Sequence, residues 1–272
     1  MNILSSTFEY LFKFDKGKRF FILFLLALPV GISASVLAPA SAMTNWIREY
    51  PNVNNSFWHI WTYGLGGFRF PISIALIVIT ASVFGSVMVS IISRSMKMGV
   101  FKYGRFFRDM NESFIPTLFS AITYAGIYVG YKVLVTLLLR LWLRLSPVAG
   151  LSLSIISILI ACSVSAFFIS LITLLIPIQA FTGVKTKRAI GLSIHKANKS
   201  TLQFMFASAV PLIGVMIIRG LIGLLQLRVL SLILSCVSYA FLFAYAITLS
   251  MIAYTETEGI VREDYPRGYI KK

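Results

Sequence analysis

Charged residues are scarce in this chain: Asp, Glu, Lys and Arg make up 12% of its 272 residues, against about 25% in ordinary soluble domains. Together with 58% hydrophobic residues, that scarcity excludes a soluble globule and points to the bilayer. Acidic residues are the rarer sign, nine against 25 basic. All of them (Glu9, Asp15, Glu49, Asp109, Glu112, Glu256, Glu258, Glu263 and Asp264) lie outside or at the edges of the apolar runs. Carriers coupled to protons or sodium ions commonly keep an Asp, Glu or His inside the membrane to bind the cation, so that class is disfavoured.

Histidine occurs only as His59 and His195, and cysteine only as Cys162 and Cys236. Neither set has the spacing of a metal site or a disulfide framework. HExxH, GxxxxGK[ST], GxSxG and Cys-x-x-Cys are all missing, which disfavours zinc hydrolases, nucleotide-driven motors and standard serine hydrolases. With no buried acid–base pair on offer, the chain reads as non-enzymatic and no cofactor is expected. Disorder is excluded by the 22 Phe and the 14% aromatic content.

Long apolar runs are what the chain has instead. Six of them, near Phe20–Thr44, Ile72–Ser93, Phe114–Leu139, Leu151–Ile178, Leu202–Leu225 and Val229–Tyr254, approach or exceed the roughly 20 helical residues that cross a hydrocarbon core. Continuous runs of this length are helical, because a barrel strand alternates. The expectation is an all-α polytopic protein: a single integral domain over 1–272 with six transmembrane helices, closed by a tail over 257–272. The first run imitates a secretory signal, with Lys16-Gly17-Lys18-Arg19 before it and Ala40-Ser41-Ala42 at its end. It exceeds the 7–15 residue core of such signals and is read as a retained helix.

Most of the basic residues fall in four places: Lys13–Arg19, Arg94–Arg108, Lys185–Lys199 and Arg262–Lys272. By the positive-inside rule both termini are expected in the cytoplasm of a multi-pass cell-membrane protein. The net charge of +16 does not imply nucleic acid, since the basic residues are dispersed over these segments without a base-stacking domain.

Residues 102–132 superpose on 189–219 at a constant shift. Asn111-Glu112-Ser113 falls on Asn198-Lys199-Ser200, Phe119 on Phe206 and Lys132 on Arg219. Each copy opens on an amphipathic segment: Met96, Val100, Tyr103, Phe107, Met110 and Phe114 in one, Ile190, Ile194 and Ala197 in another, with Leu4, Phe8, Leu11 and Phe12 at the start of the chain. Two readings stand side by side. Three tandem units over 1–93, 94–180 and 181–256 would each join an interfacial helix to a membrane hairpin; alternatively, the chain is a plain six-helix bundle with basic loops. In the first reading Lys102, Arg105, Arg108, Lys187, Arg188, Lys196 and Lys199 face anionic headgroups.

Lys132 and Arg219 are the basic residues that enter the runs. Such residues snorkel to headgroups or face the bundle interior; in the second case they are candidates for an anion or a lipid headgroup. Ser82, Gly85, Ser86 and Ser90 are expected to mark a helix contact, and Pro29, Pro177 and Pro211 to kink or interrupt their helices. Trp46, Tyr50, Trp58, Trp61 and Tyr63 suit an aromatic belt in the connection Asn45–Gly67.

The interfacial segments at Phe101–Ser113 and Lys187–Ser200 resemble those of uncharacterised bacterial multi-pass families. They are also similar to the membrane domain that accompanies some bacterial glycerophosphodiester phosphodiesterases. The resemblance is architectural and implies a bacterial membrane protein, carrying over no active-site residue. The function expected is membrane-complex assembly or lipid sensing and organisation, with membrane lipids and either a protein partner or a second copy as partners. The alternative is a permease or carrier for an anionic or lipid substrate.

Overall fold

The computed structural model describes residues 3–37, 57–62, 70–99, 101, 106–198, 200–224 and 228–264. Among them there is no strand, as the apolar runs require. The chain opens with α1 (Ile3–Phe8), a π-helical turn (Glu9–Lys13) and a 3-10 turn (Phe14–Gly17). It continues through α2 (Lys18–Leu37), α3 (Phe57–Thr62), α4 (Phe70–Met98), α5 (Phe106–Trp142) and α6 (Pro147–Ile172). The last elements are α7 (Leu175–Thr182), α8 (Thr186–Asn198), α9 (Thr201–Leu224) and α10 (Arg228–Thr257).

Five helical stretches are long and apolar enough to cross a membrane: those within Ile3–Val36, Ile72–Met98, Ser113–Trp142, Val148–Thr182 and Val229–Glu258. On α9, a helix of 24 residues, the apolar stretch described, Thr201–Val215, is shorter.

The six longest helices form a ring in chain order. Packing runs from α2 to α4, α5, α6, α9 and α10, and α10 closes back on α2. The Arg19–Asp264 bond brings the start of α2 and the segment after α10 together at one end of the ring, here the terminal end. The opposite end is the distal end.

The ring is built inside out relative to a soluble bundle. On α6, Ser154, Ser157, Ala161, Ala166 and Ser170 are buried, while Ile156, Leu159, Ile160 and Phe168 are exposed. In lipid, exposing large apolar groups costs nothing, whereas small residues let helices approach and polar ones find partners. Between α4 and α5 the same rule sets Ser82, Ser86 and Ser90 against Ser113, Thr117 and Ser120, all buried. The small residues expected to mark a helix contact of α4 are buried in one. Gly85 belongs to it: a Cβ there would stand 3.0 Å from the Thr117 methyl and 3.1 Å from the Phe243 ring. Gly31 of α2 is tighter still, since a Cβ would lie 2.4 Å from the Cys236 carbonyl oxygen of α10.

The structure departs from the sequence-based expectations in four places. The fourth run does not continue as one helix to Ile178: it breaks at Thr173–Leu174, and α7 turns into the bundle with Leu175 to Gln179 all buried. Pro177 does not itself interrupt a helix, because it occupies the first turn of α7, where an N–H would lack a partner in any case. Pro29 and Pro211 lie inside continuous helices, and the Ser33 hydroxyl donates to the Pro29 carbonyl at 2.8 Å. The second amphipathic segment is not a separate interfacial helix over its described part, since α5 is continuous from Phe106. Phe107 and Arg108 are both exposed there, and Asp109 is buried. On α8 Ala189, Ser193 and Ala197 are buried and Ile190 packs partly buried against the core, while Ile194 of the expected stripe points outward. Finally, α1 and the turn after it are packed into the terminal end, with Tyr10 and Leu11 buried in the main core.

Candidate functional site

Two regions concentrate the chemistry, one at the terminal end and one within the ring. At the terminal end the chain reverses from α1 into α2 through Asp15, Lys16 and Gly17, with φ of 52°, 53° and 79°. The left-handed conformation costs a non-glycine residue roughly 1–2 kcal/mol, and the contacts made here offset it. The Arg19 Nε donates to Asp15 Oδ2 at 2.6 Å, and Arg19 Nη1 donates to Asp264 Oδ2 at 2.7 Å. Arg262 forks onto the same carboxylate, both of its bonds at 3.0 Å.

Aromatic faces enclose the charges: the Arg19 guanidinium lies 4.8 Å from the Tyr10 ring centre, 5.2 Å from Phe14 and 5.7 Å from Phe101. The tail is thereby fastened across the end of α4. Glu263 N–H donates to the Met96 carbonyl at 3.0 Å. Gly99, at φ 67°, makes room for it, because a Cβ would meet the Glu263 carbonyl oxygen at 2.7 Å. Beside this cluster Arg94 of α4 donates to Asp109 of α5, whose second carboxylate oxygen is buried without a hydrogen bond among the described residues. Sequence reading missed both groupings. The available signal was that Asp109 and Asp264 are acids placed among basic segments expected on the same side.

The second region is a cavity of about 330 Å³ between α2, α4, α5 and α10, with Ile176 of α7 in its wall. Ala81, Ala121 and Ala125 leave the space open, and Tyr124, Tyr128 and Tyr239 place aromatic faces around it. On α5 the lining positions Thr117, Ala121, Ala125 and Tyr128, with Tyr124 beside Ala125, follow one helix face in steps of three and four residues. Lys132 is the next position on that stripe. Val135 and Leu139 continue it, 5% and 6% exposed, in a cluster with Ile60 of α3 and Ala161 of α6. Half-buried Lys132 thus stands between the cavity and that distal cluster, ten residues or about 15 Å of helix before Trp142.

The other anticipated residues are spread out. Arg219 lies on α9, which α6 separates from α5 in the ring; its side chain lies outside the described residues, so the helices do not place it beside Lys132. Arg108, Lys187 and Arg188 are exposed at the terminal end, while Lys196 donates to Glu258. Lys102, Arg105 and Lys199 lie outside the described residues, as do Trp46, Tyr50 and Tyr63 of the aromatic connection. Of the latter, Trp61 is buried and Trp58 is 71% exposed. His195 is exposed on α8. Among the described residues no group of three or more His, Cys, Asp or Glu could hold a metal ion. No family model, no curated protein and no solved structure matches the chain.

Chemically, then, the terminal end is a set of ion pairs that hold the tail and the first turn. The interior offers apolar volume with a cation one helical turn beyond it.

Proposed function

We propose that this chain is a non-enzymatic integral membrane protein of six spans, with α9 as the fifth in order and both termini in the cytoplasm, and that it organises or senses anionic lipid. The terminal end would then lie at the inner leaflet of a bacterial cell membrane. The observation that carries the reading is the placement of α8. Its exposed Lys187 and Arg188 project at the terminal end, next to the apolar outer surface of α6 and α9, where Phe168, Leu202 and Phe206 are exposed. A basic edge bordering an apolar face meets headgroup and acyl chain together, and each basic residue near an anionic surface contributes about 1 kcal/mol. The chain order of the ring is in keeping with three consecutive hairpins about an axis along the membrane normal.

The test is retention of lipid by the purified full chain. Native mass spectrometry from mixed phosphatidylglycerol and phosphatidylethanolamine membranes should show bound phosphatidylglycerol, reduced in a Lys187→Glu/Arg188→Glu variant. A monomer free of lipid and partner would overturn the proposal, as would reporters that place either terminus outside.

The second reading, a carrier for an anionic or lipid substrate, is favoured by the cavity inside the ring. It requires Lys132 and Arg219 to be reachable by water. Cysteine at each position, probed with impermeant thiol reagents, separates the two: labelling confined to the distal surface counts against a carrier.

A further inference from the structure

The cavity has a shape and a chemical polarity of its own. Its volume of about 330 Å³ lies at the lower end of the roughly 300–1,000 Å³ typical of ligand pockets, which suits one slender apolar chain better than a ring system with a polar periphery. The wall is apolar, with Val30, Ile77, Phe243 and Ile247 among its residues, and the small residues Ala121 and Ala125 sit on the stripe that reaches Lys132 one turn beyond Tyr128. An apolar slot followed along one helix face by a cation matches a molecule with a hydrocarbon tail and a negative head. We propose that the cavity is a binding site for a single acyl chain, its methyl end toward Thr117 and Ile247 and its anionic head at Lys132.

This deepens the lipid-organising reading and rests on it, but in a different place from α8. The anionic lipid at α8 lies on the surface, whereas this chain is held inside the ring. The amphiphile is recognised by a carboxylate or phosphate monoester on one long alkyl chain. Both a free fatty acid and a lysophospholipid without a further positive charge supply that chemistry.

The experiment uses the purified full chain and long-chain fatty acids carrying a photoactivated diazirine either near the carboxyl or near the methyl end. Labelled positions are mapped by peptide mass spectrometry. The carboxyl-end probe should label around Tyr128 and Lys132, the methyl-end probe around Thr117 and Ile247. Ala125→Trp should reduce both at least tenfold, and Ala121→Leu serves the same purpose should the larger residue prevent folding. Lys132→Gln should weaken the acid about tenfold and leave a diazirine fatty alcohol of equal length unchanged, while Lys132→Arg should restore the acid.

Competition by unlabelled palmitate or by lysophosphatidate identifies which head is preferred; competition by neither overturns the proposal. Labelling confined to outward residues such as Phe168 and Phe206, or unaltered by the cavity-filling variants, also overturns it. So does equal sensitivity of acid and alcohol to Lys132→Gln. Reporters that reversed the termini would defeat the topology above yet leave this labelling pattern intact. Conversely, an unlabelled cavity beside retained phosphatidylglycerol would defeat only the present inference.

Discussion

The terminal end and the cavity inside the ring set their cations in different surroundings. Arg19 and Arg262 share Asp264, Arg19 also reaches Asp15, and Arg94 meets Asp109, so positive charge there is answered by carboxylates of the same chain and spent on holding segments together. Lys132 instead stands on an interior stripe of α5 that runs from an apolar cavity to an apolar cluster. An intramembrane cation carries a desolvation cost of at least about 2.5–3.5 kcal/mol on insertion scales. The contrast teaches where structure ends and ligand chemistry begins: the first set closes the fold through named ion pairs, while the second stands one helical turn beyond an apolar cavity.

The largest expected effect follows from the first set. Asp264 is 4% exposed, and its carboxylate is the common acceptor for two guanidinium groups. Removing one partner of a buried ion pair costs about 3–5 kcal/mol, because the remaining charge stays buried. Asp264→Ala should therefore lower the midpoint of thermal unfolding in detergent sharply and expose the 258–264 segment to protease. Filling the cavity with Ala125→Trp should leave that segment protected. A tail equally resistant in Asp264→Ala would show that its backbone bond to Met96 suffices and that the charges are incidental.

Packing inside the ring gives the next effect in size. Gly31→Ala forces a methyl group into the Cys236 carbonyl, and overpacking of this kind costs about 1–3 kcal/mol. Gly126→Ala, where no atom lies within 4 Å of the new Cβ, should be neutral or raise stability by up to about 1 kcal/mol through helix propensity. Thermal unfolding of the two variants, measured side by side, tests whether α2 and α10 meet as closely as described. Equal midpoints would separate the two helices and open the ring.

How much of this was legible beforehand depends on the range of the interaction. Helix positions and the α4 contact face are written in local patterns, since Ser82, Ser86 and Ser90 recur at one turn each and small residues at that spacing have one use in lipid. The break at Thr173–Leu174 has no such mark. Both residues lie within an apolar run, and only Pro177, three residues on, hints that α7 starts afresh. The burial of Asp109 was not legible, because periodicity reports which residues are alike and says nothing about which polar residue a neighbouring helix will meet, here Arg94 of α4. With lipid outside, Phe107 turns outward and Asp109 inward. The bond from Arg19 to Asp264 spans 245 positions, and no local pattern carries a pairing of that length. Lys132 as a candidate was visible from its place inside an apolar run, but the cavity beneath it required four helices from distant parts of the chain.

The smallest effect asks whether the terminal end holds its tail by charge as such or by buried charge. Lys196 of α8 donates to Glu258, just past α10, with side chains 30% and 28% exposed, and the ammonium also lies 5.9 Å from the Tyr254 ring centre. Water reaches both partners, so the pair resembles surface ion pairs, whose contribution is about 0–1 kcal/mol and falls with salt. Glu258→Gln should then shift the unfolding midpoint only slightly, and the shift should vanish in high salt, while the loss in Asp264→Ala persists there. If Glu258→Gln proved as damaging as Asp264→Ala, the grip on the tail would extend to α8. The basic edge proposed to meet lipid would then be coupled to the closure of the ring instead of merely bordering it.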